Sequence, residues 1–175
     1  GHEARIPAPQ QPEGAPQPEG HGPEEGRQHE EDVASLTPMS VLALLTVHEL
    51  QTAAFAERMR GAVTDDVLAQ ILTKIHADDA SQARYFIGFL GAGMVADQDA
   101  TVSAIDWALT DIAPIGSDVA DFDDQFALIA DYENDQTRAT IAKAIVDGVK
   151  LNSVEGLSDE AQAAKERILA LAAGA

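Results

Sequence analysis

The chain has no cysteine, which excludes disulfides, thiolate nucleophiles and cysteine-held iron–sulfur clusters. It is also poor in positive charge. Eleven Lys and Arg stand against 30 Asp and Glu, a formal net charge of −19, so the clustered cations that phosphate binding needs are missing. Nucleic acid and anionic membrane are therefore not expected as partners. No run of 18 apolar residues occurs, and no charged segment followed by an apolar one opens the sequence. Neither a spanning helix nor a signal peptide is expected, and a cytoplasmic setting follows.

Proline is scarce where folding is expected. Six of the eight (Pro7, Pro9, Pro12, Pro16, Pro18 and Pro23) lie in the first 23 residues among Gly, Gln and Glu. Apolar periodicity begins only near Val33. Such composition does not bury enough surface to offset its ordering entropy, and residues 1–35 read as a disordered arm ahead of a helical domain over 36–175.

In that domain Thr37-Pro38 is a helix start, a hydroxyl cap followed by a proline at the first helical position. The helix is expected over 38–60, stopped by Gly61. Thr64 and Asp65 cap a second helix, expected over 65–90 and ended by Gly91-Ala92-Gly93. Further helices are expected near 100–113, 118–131, 136–149 and 158–172, the last capped by Ser158. No period-2 alternation is present, so the class is all-α. Two long helices joined by a tight connection form an antiparallel hairpin, the unit of a bundle.

Polar residues interrupt the apolar stripes of that hairpin. On the first helix Leu42, Leu45, Glu49, Thr52, Ala56 and Met59 follow steps of three and four. On the second, Leu68, Leu72, Ile75, Asp79, Gln82, Phe86 and Phe89 do the same. Both helices are thus expected to aim acids at one core. A buried carboxylate is costly unless paired, hydrogen-bonded, protonated or bound to metal. Helical bundles solve this in the di-iron carboxylate site, built from single Glu residues and Glu-x-x-His pairs. Glu49 matches the first element, and Asp79-x-x-Gln82 matches the second with both ligands altered. The plainer alternative is that these are boundary residues whose tips reach water. His48 and His76 flank the stripes and read as surface residues rather than ligands.

At this level the sequence resembles the soluble acyl-carrier-protein desaturases, ferritin-like di-iron enzymes. "VHELQTAAFAERMR" is similar to the family's third ligand helix, in which a Glu is followed three residues later by a Thr near the oxygen site. "LAQILTKIHADDASQARYF" is similar to the fourth, normally Asp-Glu-x-x-His, here Asp78, Asp79 and Gln82. "DATVSAIDWALTDI" fits the helix after the ligand pair. "LNSVEGLSDEAQAAKERILAL" resembles the carboxyl-terminal segment with its Gly-Leu-Ser turn. The resemblance spans about 37–172, the second half of such an enzyme, and the first two ligand helices have no counterpart.

The resemblance implies a ferritin-like half-bundle and a di-iron site shared with a partner chain, or a site that has been lost. Glu49, Asp79 and Gln82 would be the metal residues, and Thr52 the catalytic oxygen-site donor. The implied reaction is oxygen-dependent desaturation of an acyl chain on a carrier protein. Electrons would come from a ferredoxin-like donor. Carrier proteins are acidic and dock on basic surface, so docking would fall to the partner, either a second desaturase-like half or another copy of this chain. The alternative is a non-catalytic ferritin-like subunit.

Overall fold

In the computed structural model the protein is described over residues 36–110, 121, 124, 127 and 135–174. The expected arm (1–35) and nearly all of the helix expected at 118–131 lie outside the described residues. What is described is helical, with no strand: α1 (Pro38–Ala62), α2 (Asp66–Ala96), α3 (Gln98–Thr110), α4 (Asp135–Val149), a 3₁₀ turn (Leu151–Ser153) and α5 (Asp159–Ala172). The class is all-α, as the periodicity indicates.

The helix starts obey their capping chemistry. The Thr37 hydroxyl accepts from the Ser40 amide at 3.0 Å, with Pro38 opening α1. The Asp65 carboxylate accepts from the Leu68 amide at 2.8 Å, and Ser158 caps α5 through the Ala161 amide. Each satisfies one of the amides that a helix start leaves without an intrahelical partner.

The helix ends differ from expectation. α1 passes through Gly61 to Ala62, and α2 passes through Gly91 and Gly93 to Ala96. Gly93 is a point of close approach rather than a stop. A Cβ there would meet the Met39 methyl and, at 2.8 Å, Thr101 Oγ1, so the missing side chain lets the starts of α1 and α3 close on α2.

The main core lies where α3, α4 and α5 pack on the lower half of the hairpin, around Leu90, Val102, Ile105, Ile145, Leu151 and Ile168. One ion pair ties this region together, Arg167 of α5 to the buried carboxylate of Asp106 on α3. α1 packs on α2, α3 and α4, which explains why it is apolar on nearly all sides. By length and composition alone, α1 is apolar enough to cross a membrane. The core contacts of Ala43 and Val47 account for part of that apolarity without a bilayer.

From Val67 to Phe89, α2 is covered on one side only. Leu72, Ala83 and Leu90 are buried, whereas Ile71 is 50% and Tyr85 66% exposed, with Val67, Leu68, Ile75 and Phe89 exposed as well. The stripe read from the sequence is therefore rotated from the one that packs. Of its members only Leu72 is buried, Asp79 and Phe86 are half-buried, and Leu68, Ile75, Gln82 and Phe89 face outward.

Candidate functional site

His76 fixes the level of the two hairpin helices. Its Nδ1 lies 2.9 Å from the Ala53 carbonyl oxygen, which can only accept, so the ring donates from Nδ1. In an antiparallel pair each step up one helix matches a step down the other. Glu49, four residues before Ala53, then falls near the height of Ala80 and Asp79, to about one helical turn. Both acids are half-buried. The hairpin thus brings Glu49 and Asp79 to one level, which spacing along either helix alone does not specify.

Gln82 is placed otherwise. It is exposed, in line with Leu68, Ile75 and Phe89, each seven residues from the next. Thr52 is half-buried, and its hydroxyl donates back into α1, with the carbonyl oxygens of His48 and Glu49 at 3.1 and 3.2 Å. Its proton is engaged by its own helix, as is common for Thr within a helix. His76, read from the sequence as a surface residue, is half-buried and pins α2 to α1.

No protein-family model matches the chain, and none of the curated proteins matches it at a significant level. The chemistry of the site therefore rests on its own residues.

Those residues do not by themselves fit a di-iron centre. Glu49 and Asp79 are two carboxylates at one level, and Gln82 offers only a neutral carbonyl oxygen from the outward side. His76 Nδ1 is committed to the Ala53 carbonyl. Among the described residues no group of three or more His, Cys, Asp or Glu side chains is placed to hold a metal ion. A site that binds iron firmly combines several carboxylates with nitrogen donors.

The larger feature is the outward strip of α2. Its apolar residues gather on one side. Gln70, Thr73, Lys74, Ser81 and Arg84 form the neighbouring, polar side. Within the strip the Tyr85 and Phe89 rings stack edge to face at 4.8 Å. Sequence reading missed Ile71 and Tyr85 because it followed a single stripe. The signal was present as a second row of threes and fours running from Leu68 to Phe89.

Proposed function

We propose that this chain is one half of a split acyl-carrier-protein desaturase-like enzyme. Its α1–α2 hairpin supplies two helices of a ferritin-like bundle, and a second polypeptide supplies the rest. The observation that carries this reading is the outward apolar strip of α2 beside the level shared by Glu49 and Asp79. Two missing helices would cover that face in a complete bundle. Gln82 lies within it and the half-buried Asp79 beside it, so both would be taken further from water when the partner docks.

In this reading the hairpin brings Glu49 and Asp79 to the shared level, and the second polypeptide brings a Glu and a Glu-x-x-His. The partner also binds the acidic acyl carrier protein, since a chain of net charge −19 does not attract one, and a ferredoxin-like protein donates electrons. A second reading has one observation in its favour. Among the described residues no group of three or more His, Cys, Asp or Glu side chains is placed to hold a metal ion, which suits a non-catalytic ferritin-like subunit that only completes and stabilises the bundle.

Co-expression with a desaturase-like amino-terminal half, followed by assay of double-bond formation in an acyl chain on its carrier protein, tests the proposal. Turnover by the complex that neither half gives alone supports it. A stable complex in which Glu49→Ala leaves turnover intact favours the non-catalytic reading of this chain. Failure of the two halves to associate overturns the proposal.

A further inference from the structure

Leu68, Ile71, Ile75, Asp78, Gln82, Tyr85 and Phe89 are spaced by alternating steps of three and four over three heptads, and all seven are exposed. That spacing lines the side chains into one seam running along the helix, the arrangement that receives a second helix knobs-into-holes. The apolar residues lie at the two ends. Asp78 and Gln82 occupy the middle.

We propose that this seam takes one helix of a different polypeptide, apolar at its own seam positions and carrying a lysine or arginine opposite Asp78. The inference rests on the reading that another chain completes the bundle, and it specifies that partner's chemistry. Covering the seam withdraws the Asp78 carboxylate from water, and a withdrawn charge must be paired. A second copy of this chain in full overlap does not place a cation opposite it. The midpoint of 68 and 89 falls beside 78, so full overlap of two identical seams, parallel or antiparallel, brings Asp78 against its own counterpart. Each copy also carries a net charge of −19, which opposes self-association at every separation within the screening length. A cation from a different chain pairs Asp78 and fixes the register, as polar residues at seam positions do in coiled coils.

The test uses the full chain and three labelled synthetic helices, each of three Leu/Ile heptads and differing only at the central seam position, which is Lys, Glu or Leu. Fluorescence anisotropy should show the Lys peptide binding roughly tenfold or more tightly than the Glu peptide, the scale of a close interfacial charge pair. Asp78→Lys should reverse that order. The double variant Asp78→Leu, Gln82→Leu should self-associate in sedimentation at concentrations where the native chain does not. Equal binding of the Lys and Glu peptides, no reversal with Asp78→Lys, or a native dimer abolished by Ile75→Lys would each overturn the proposal. Charge-dependent peptide binding without turnover in the co-expressed complex keeps the seam and discards the desaturase reading. Turnover indifferent to Asp78→Lys does the opposite.

Discussion

Arg167 on α5 grips Asp106 on α3 from both carboxylate oxygens, its Nε 3.2 Å from Oδ1 and 3.1 Å from Oδ2. The acid is buried, at 8% side-chain exposure, and the guanidinium is 56% exposed. Losing the exposed partner therefore harms the buried one. Arg167→Ala should lower the unfolding free energy by about 1–3 kcal/mol, the cost of a buried polar group left without its hydrogen bonds. Asp106→Asn, which keeps an acceptor but no charge, should lose less. Urea denaturation of both variants measures the difference, and equal losses would show that charge is not what Arg167 supplies.

Two glycines of α2 should respond oppositely to alanine. A Cβ on Gly93 would press against Met39 and against Thr101, whose fully buried hydroxyl is held by the Asp97 carbonyl at 2.7 Å and has little room to yield. Gly93→Ala should destabilise by about 1–3 kcal/mol. Gly88 has nothing within 4 Å of an added Cβ, so Gly88→Ala should stabilise by about 0.5–1 kcal/mol through helix propensity alone. Thermal melts of the two variants should move in opposite directions.

The faces of α2 can be separated by adjacent residues. Leu72 is 5% exposed and Ile71 50%. Leu72→Ala should cost about 2–5 kcal/mol in the isolated chain, as for a buried leucine. Ile71→Gln should change it by no more than about 0.5 kcal/mol, typical of an exposed position. Only in complex with a partner helix should Ile71→Gln cost affinity. A large loss from Ile71→Gln in the isolated chain would mean that this chain itself covers the strip.

Iron content separates the two functional readings. Two carboxylates and an amide oxygen hold iron poorly, so the isolated chain should carry it well below one ion per chain by elemental analysis. In a complex with a half that brings its own Glu-x-x-His, Gln82→His should raise iron occupancy by restoring a nitrogen donor one turn from Asp79. Glu49→Ala should lower it. If neither substitution changes occupancy, this chain does not contribute to a metal site.

The helix starts were legible in the sequence because capping is local. Thr37, Asp65 and Ser158 each need only an amide three residues on, and that spacing is written in the chain. The helix ends were not, because Gly91 and Gly93 read as breakers by propensity, whereas at Gly93 tertiary packing decides. Gly93 sits in helix because Met39 and Thr101 need the space.

The candidate site was half legible. Periodicity placed Glu49, Thr52, Asp79 and Gln82 on stripes but could not tell a stripe that faces its own chain from one that faces away. Leu68 and Leu72 belong to one stripe by spacing, yet only Leu72 is buried, since rotation of a helix about its axis depends on its neighbours and not on its own sequence. The common level of Glu49 and Asp79 likewise came from the His76 contact with Ala53, which joins residues 23 apart.

The corner where α2 meets α3 has a consequence for how this chain can change over time. Gln98 Nε2 donates to the carbonyl oxygens of Glu155 and Gly156, and the Asp99 carboxylate accepts from the Ser158 amide. Each of these contacts reads backbone atoms of the segment that leads into α5. Gly156, at φ +76°, holds the left-handed conformation that gives the segment its path. The corner is therefore indifferent to which side chain stands at position 155 and sensitive to how many residues separate it from 158. A change of side chain at 155 leaves these contacts in place, whereas a single inserted residue would put the amide of Ser158 out of reach of Asp99.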